Sequence, residues 1–404
     1  MPTFRLAILR EGKVPPERRT PLTPHQAAEI MRTYSHAEVV CQPSPDRCFT
    51  DKEYSDAGIR IEEDVSNCDI LIGIKEVPIQ ALLEGRTYLF FSHTLKKQPH
   101  NQALLRTILE RNITLIDYEM LRTPGGQRLI GFGRHAGIVG AYNCLWTYGI
   151  RSGRYHLRRA FECFDLADLL TELKKVRLPP IKIVLTGTGR VGKGAVEILE
   201  AAGIRRVGVD EFLTAQPKDP VYVQLTTADY HAHKDSRPFD RAEFHSHPER
   251  YRTIFLPFAH QAELLIAGAY WNPAAPRLFT REDMQQPGFS IKVIADISCD
   301  INGSIPATVR ATDIENPVFD YDPNTHQAVA PFSDERNITV MAVDNLPCEL
   351  PRSASEDFGK DLIDRIMPSL LREDVEGIID RATIVRKGEL TPEFRYLEDW
   401  AKGV

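Results

Sequence analysis

The sequence predicts an α/β protein of two domains, each built on a mostly parallel sheet. Three observations carry this. The chain has 404 residues, and chains beyond about 250–300 residues usually divide into separate cores. Short apolar runs alternate with helical patterns, which argues for parallel strands covered on both faces. A glycine-rich turn, Gly187-Thr-Gly-Arg-Val-Gly192, stands between an apolar strand and a helix.

Along the first unit, Phe4–Leu9 reads as a strand. Thr23-Pro24 opens a helix, with Thr23 as cap and Pro24 in the first position. Further strands are expected at Glu38–Cys41, Asp69–Ile74, Tyr88–Phe91 and Ile113–Asp117, with a helix at Leu104–Glu110. The small, apolar run Ala136–Tyr148 reads as a buried connecting helix. Gly153–Arg177 is amphipathic and ends at Leu178-Pro179-Pro180, where a new strand–helix–strand unit begins at Ile181. Gln216–Arg250 reads as a long polar excursion, and Ile291–Asp296 as a late buried strand. Apolar residues at helical spacing from Phe358 to Leu371 are expected to pack back on the first domain. The expected division is 1–135 plus about 325–404 for one domain and 136–324 for the other.

Composition narrows the function classes. Hydrophobic residues make up 42% and charged residues 26%, ordinary for a folded protein, and the formal charge of −6 disfavours a nucleic-acid binder. The seven cysteines form no CxxC pair, which suits reduced thiols rather than a disulfide framework. The start lacks the apolar run of a signal peptide, and no stretch reaches the length of a bilayer span. A cytoplasmic protein is expected.

The glycine turn carries the first chemistry. Gly187 permits the tight turn, Gly189 lets backbone approach a pyrophosphate, and Gly192 lets helix and strand pack closely. Thr188, Arg190 and Val191 complete the turn, whose N–H groups face phosphate oxygens at the helix start. The predicted cofactor is NAD or NADP. About 20 residues on, Asp210 or Glu211 suits the ribose hydroxyls of NAD, while Arg205 or Arg206 suits the extra phosphate of NADP. The sequence leaves that choice open.

Ionisable residues recur at the ends of predicted strands, where open parallel sheets place ligands. Lys75 and Glu76 follow Ile74, His93 follows Ser92, and Asp117 and Glu119 follow Ile116. A lysine and a histidine exchange protons near neutral pH when burial shifts them. Arg19 and Arg128 suit substrate carboxylates through their planar forks. Taken singly, each is equally readable as a surface charge or a cap. The His231-Ala-His233 and His245-Ser-His247 pairs lack a clear third and fourth ligand, so no metal site is expected. Cys299 reads as a small buried filler.

Ten ordered segments then carry a resemblance: Arg19-Thr-Pro-Leu-Thr-Pro24, Gly73-Ile-Lys-Glu-Val-Pro78, Phe91-Ser-His-Thr94, Ile116-Asp-Tyr-Glu119, Phe132-Gly133, Thr186-Gly-Thr-Gly189, His247-Pro-Glu-Arg-Tyr251, Pro276-Arg-Leu278, Asp296-Ile-Ser298 and Asp344-Asn-Leu-Pro347. The chain resembles the alanine dehydrogenase / saccharopine dehydrogenase family across nearly its whole length, closest to the lysine–ketoglutarate reductase domain of the bifunctional aminoadipic semialdehyde synthases. The resemblance implies two Rossmann-like domains with an active-site cleft between them. It implies Lys75 and His93 as catalytic residues, and Arg19, Glu76, Glu119, Arg128 and Asp300 on the substrate side. Asp296 and the Gly268-Ala269-Tyr270 loop fall on the cofactor side. The implied reaction is an NAD(P)-dependent reductive condensation of an amino acid with a 2-oxo acid; for lysine and 2-oxoglutarate the product is saccharopine. The chain ends at Val404, so it matches the reductase half alone. Expected partners are the small-molecule amino acid and 2-oxo acid, with no nucleic acid and no membrane, and a homo-oligomer stays open. An ammonia-releasing amino-acid dehydrogenase and a non-catalytic dinucleotide or lysine sensor are the competing readings.

Overall fold

The structure is a computed structural model that describes residues 4–403. Its strands run in chain order as β1 Phe4–Ile8, β2 Ala37–Cys41, β3 Arg60–Ile61, β4 Ile70–Ile72, β5 Thr87–Phe90, β6 Thr114–Asp117, β7 Lys182–Thr186, β8 Arg205–Arg206, β9 Val221–Leu225, β10 His231–His233, β11 Tyr251–Thr253, β12 Leu264–Ala267, β13 Val293–Asp296, β14 Val318–Asp322, β15 Gln327–Val329, β16 Ile338–Met341, β17 Thr383–Arg386 and β18 Glu389–Leu390. The chain divides into two compact units, one made of residues up to Phe132 together with those from Pro351 onward, the other Gly133–Leu350.

The first unit holds an eight-stranded sheet in the order β18-β17-β6-β5-β4-β1-β2-β3. The strands from β3 to β6 are parallel, and β17 joins β6 antiparallel. The helix Pro24–Thr33 begins as its sequence dictates. Thr23 caps the Gln26 N–H, Gln26 Oε1 returns to the Thr23 N–H at 2.9 Å, and Pro24 needs no donor. Gln26 also ties down the returning helix Pro351–Arg365. Its Nε2 donates to the Glu356 carbonyl at 2.7 Å, and it packs where Gly359 has no side chain. Phe358 and Leu362 from that helix enter the same core as Leu6, Ile8 and Ile72, so the packing expected of Phe358–Leu371 is present.

The second unit holds another eight-stranded sheet, β15-β14-β16-β13-β12-β7-β9-β8, parallel from β8 to β16 and antiparallel at β14 and β15. Both sheets are Rossmann-like and mostly parallel, covered by helices. The helix Gly133–Ser152 is buried along most of its length, as its small apolar sequence predicts. It crosses the helix Arg190–Ala201 where Gly137 and Gly194 bring the two backbones together: a Cβ at either position would lie within about 2 Å of a carbonyl of the other helix. That contact anchors the helix which begins at the glycine turn.

Two boundaries differ from the sequence reading. Residues 325–350 belong to the second sheet, not the first. All four residues of β16 are buried, and the strand pairs parallel with β13 through Val293–Thr339, Ile294–Val340 and Ala295–Met341. The stretch Gln216–Arg250 is not a continuous excursion either. It contains β9, the direct parallel neighbour of β7. Among the described residues no helix is long and apolar enough to cross a membrane.

Candidate active site and dinucleotide cavity

In the first unit, the segments following β1, β4, β5 and β6 bring ionisable groups together. Lys75 follows β4, and its backbone N–H donates to Glu11 Oε2 at 3.0 Å; the Ile74 N–H donates to Glu11 Oε1 at 2.5 Å. Glu11 therefore fixes the peptide that presents Lys75. Burial, aided by the nearby Glu17 charge, pushes the Glu11 carboxyl up to about 8 against the pull of those two donors. Burial likewise lowers the Lys75 amine from the ordinary lysine range, and Arg19 and Lys13 add to the effect.

His93 follows β5, and its Nδ1 lies 2.6 Å from Glu76 Oε1. Burial opposes the charge on Glu76, but the His93 hydrogen bond and the His93 and Lys13 charges prevail and hold it near 2. Lys13 Nζ stands 3.5 Å from Glu76 Oε2, and Asn101 Nδ2 donates to Oε1 at 3.4 Å. The His93 backbone has φ +50°, a strained conformation for a residue with a side chain, though less so for histidine. Asp117, fully buried at the end of β6, holds that turn in place. It accepts from the Ser92 N–H at 2.9 Å, from the Ser92 hydroxyl and from the Glu119 N–H at 2.7 Å. The His93 ring also stacks on Phe91, with 19° between the planes.

Arg19 and Arg128 meet different surroundings. Arg19 gives its fork to Glu17, with Nε–Oε1 2.8 Å and Nη2–Oε2 2.6 Å, and lies 4.1 Å over the Phe132 ring. Both partners are buried, their side chains 3% and 1% exposed. Burial opposes the Glu17 charge, but Arg19 holds its carboxyl near 2. Arg128 is more open, with its side chain 38% exposed; it stands 3.8 Å from Glu119 and over Phe91. Glu11 and Glu17 escaped the sequence reading. The strand-end rule, applied to β1 as it was to β4, would have found Glu11.

In the second unit, β7 ends at Thr186 and Gly187 adopts φ +96°, pressed against the backbone of Gly268 and Ala269. A Cβ on Gly192 would sit 2.1 Å from the Gly187 carbonyl, so only glycine permits this packing. Around Gly189 the space is open. Gly189 is the N-cap of the helix Arg190–Ala201 and no side chain caps it, so the first N–H groups face outward. A cavity of about 450 Å³ begins at the turn, lined by Thr186–Val191 and by Gly268, Ala269 and Tyr270. An uncapped helix start, an open glycine and this cavity fit a dinucleotide pyrophosphate.

Asp210 does not reach that cavity. It is exposed on the short helix Val209–Thr214, and the neighbouring Glu211 pairs with Arg205 at 2.9 Å in a separate depression beside Lys182. The physical reason is topological. The strand beside β7 is β9, while Arg205 and Arg206 form the edge strand β8. Asp296, at the end of β13, is fully buried. It accepts from Ser298 N and Oγ, Cys299 N and Thr308 Oγ1, which shapes the loop leading to the exposed Asp300. Cys299 is half-buried, its thiol donating to the Ala342 carbonyl at 3.0 Å. His231 and His233 are buried on β10, and His233 Nδ1 accepts from the Asp235 N–H. Among the described residues no group of three or more His, Cys, Asp or Glu is placed to hold a metal ion.

Comparison with known proteins places this arrangement. The alanine dehydrogenase/PNT N-terminal domain family matches residues 7–139. An alpha-aminoadipic semialdehyde synthase of Arabidopsis thaliana is 32% identical over 97% of the chain and 41% of its own length. The mitochondrial protein of that name from Bos taurus is 32% identical, over 97% of the chain and 47% of its own length. The chain thus spans less than half the length of these relatives. A saccharopine dehydrogenase [NAD(+), L-lysine-forming] of Neurospora crassa is 27% identical over 88% of the chain and 87% of its own. An L-alanine dehydrogenase structure covers 98% of the chain at TM-score 0.62 and 14% identity, with all of its own chain matched, and shares the fold. Residues 7–139 thus match the alanine dehydrogenase/PNT N-terminal domain family, and nearly the whole chain is similar to aminoadipic semialdehyde synthases and saccharopine dehydrogenases.

Proposed function

We propose that the protein is a nicotinamide-dinucleotide-dependent oxidoreductase acting at a carbon–nitrogen bond, forming saccharopine from lysine and 2-oxoglutarate. The observation that carries this reading is a half-buried Lys75 of lowered pKa and the His93–Glu76 contact, both just beyond the ends of the paired strands β4 and β5, in a chain that also holds the glycine turn. The named activities of the relatives support the reaction class.

The dinucleotide, when bound, supplies or takes the hydride; the protein aligns it. Gly187 through Gly192 hold its pyrophosphate, with Gly268, Ala269 and Tyr270 along the cavity wall. Asp296 acts indirectly here, as the organiser of its loop. Lys75, whose amine loses its proton more readily than a free lysine, moves protons at the reacting nitrogen and carbonyl oxygen, with His93 as its partner. Glu76 already orients His93, so Glu119 is the freer carboxylate for a substrate ammonium. Arg128 is the more open arginine for a substrate carboxylate, because Arg19 is engaged by Glu17. Asp300 is assigned to the substrate side.

The test is oxidation of NADH or NADPH by the purified chain with lysine plus 2-oxoglutarate, beside pyruvate plus ammonia. Turnover with the first pair supports the proposal. Turnover with the second alone replaces it by an ammonia-releasing dehydrogenase, and cofactor binding without turnover of any amino acid replaces it by a sensor.

A further inference from the structure

We infer that Glu11 is a pH-gated positioning residue for the proposed reaction: ionised, its carboxylate holds the peptide from which Lys75 projects, and protonated it lets that peptide loosen. The inference deepens the reading above and rests on Lys75 as the proton-transfer group.

The hold follows from where two segments leave the sheet. β1 has β2 on one side and β4 on the other, the point at which the connections of this sheet diverge. Gly73 still belongs to the ladder, its N–H donating to the Leu89 carbonyl at 3.0 Å. The next two N–H groups, of Ile74 and Lys75, have left it, and a buried N–H needs an acceptor. Both go to one carboxylate, to Glu11 Oε1 at 2.5 Å and Oε2 at 3.0 Å. The fit is close. A Cβ on Gly73 would lie 3.2 Å from Glu11 Oε1, and Gly12 packs against the Pro78 ring with no room for a side chain. The segments after β1 and β4 are therefore in contact before and after Lys75.

The same carboxylate titrates in the working range. Burial, then the Glu17 charge, raise it to about 8, while the two N–H donors and Arg19 pull the other way. After β6, the Tyr118 phenol also feels the Glu11 charge, and its buried hydroxyl has no hydrogen-bond partner among the described residues. An ionised carboxylate offers an acceptor oxygen to each N–H, whereas protonation turns one oxygen into a donor. Both bonds thus stand above pH about 8, and one loses its charged acceptor below it. The Lys75 amine itself answers to burial and to the charges of Arg19, Lys13, Glu17 and Glu76, so Glu11 acts on it through the backbone.

The experiment compares the full chain with Glu11→Gln, which is neutral at every pH, and Gly73→Ala, which keeps the carboxylate but crowds it. The kcat and KM for lysine plus 2-oxoglutarate are followed against pH. The Lys75 amine is titrated separately, without substrates, by NMR of isotope-methylated lysines, its signal assigned by its loss in Lys75→Arg. The parent kcat should rise as pH passes about 8. Glu11→Gln should lack that rise and stay about 10- to 100-fold below the parent at high pH, the scale of misplacing a reacting group, with KM little changed. Gly73→Ala weakens the bonds that lower the Glu11 pKa, so its rise should move to higher pH. In both variants a loosened peptide exposes Lys75 to water, and its pKa should rise toward the ordinary lysine range. Loss of a negative charge alone would lower it, so the sign separates positioning from a through-space effect. Melting temperatures distinguish local release from unfolding. A Glu11→Gln profile that keeps the parent's rise, or a Lys75 pKa that falls or stays fixed in both variants, overturns the inference. If the parent turns over no amino acid, the reaction assignment falls, and the Lys75 titration alone decides whether Glu11 holds its peptide.

Discussion

His93 Nδ1 and Glu76 Oε1 stand 2.6 Å apart, and Glu76 stays ionised in that contact. The contact engages Nδ1, which leaves Nε2 as the ring nitrogen for the proposed proton transfer. Glu76→Ala should therefore lower kcat by about 10²-fold, the scale of losing alignment at a reacting centre. Glu76→Gln keeps an acceptor for His93 and should lose less. Equal losses in the two variants would show that the charge, not the alignment, is what matters.

Lys75→Met should cut kcat by about 10²–10⁴-fold, the contribution of a positioned proton-transfer group. Dinucleotide affinity, measured by direct titration, should stay within about twofold. A loss confined to cofactor binding would remove Lys75 from the chemistry.

The lowered Lys75 pKa gives a pH dependence with a defined sign. Burial is its largest cause, and the Lys13 charge pushes the same way. Removing that charge in Lys13→Met relieves repulsion on the protonated amine, so the Lys75 pKa rises. The limb of the kcat/KM profile that reports Lys75 should move to higher pH. A limb that stays fixed, or moves down, would show that another group is being read.

The glycines of the turn separate folding from binding. Gly189→Ala adds a methyl into open space, so stability should change by no more than about 0.5 kcal/mol. Dinucleotide affinity should fall at least about tenfold, because the methyl occupies the path of the pyrophosphate. Gly192→Ala drives its Cβ into the Gly187 carbonyl and should cost about 1–3 kcal/mol of stability. Thermal melts and titrations of the two variants check the contrast.

Glu349 supplies a stability test in the second unit. It is fully buried, accepts from Asn143 Nδ2 at 2.8 Å and pairs with Arg159 at 3.3 Å, yet burial outweighs both and raises it to about 7. The unfolded carboxyl ionises near 4.5, so between pH 4.5 and 7 the folded state binds more protons. Its contribution to stability is fully present below 4.5 and is lost as pH rises through 7, by at most about 1.4 kcal/mol per pH unit. Glu349→Gln should flatten the fall of melting temperature between pH 5.5 and 7.5. An unchanged slope would assign that pH dependence to other groups.

Much of the architecture was readable because local chemistry and tertiary packing agree. The capping box at Thr23, the glycine turn after Leu185 and the small-residue helix Gly133–Ser152 each state their structure in a few residues. The position of β9 was not readable in that way. Val221–Leu225 is a good strand sequence, but only sheet order shows that it, and not the run through Arg206, lies beside β7. Placing Asp210 near the ribose followed from that missing order. Lys75, Glu76 and His93 were visible at strand ends, whereas the engagement of Arg19 by Glu17 depends on two buried side chains meeting, which spacing alone does not report.

The pairing of β17 with β6 has a consequence for biosynthesis. The Gly133–Leu350 unit is continuous in sequence and can assemble while the chain is still being made, whereas the sheet around Lys75 and His93 waits for Thr383–Arg386 to emerge. Its first strands must remain unfinished for the translation time of more than two hundred residues, with the apolar side chains of β5 and β6 short of their final neighbours. A ribosome stalled before residue 383 would thus carry a finished Gly133–Leu350 unit and an immature first unit, the one then more exposed to chaperones and proteases.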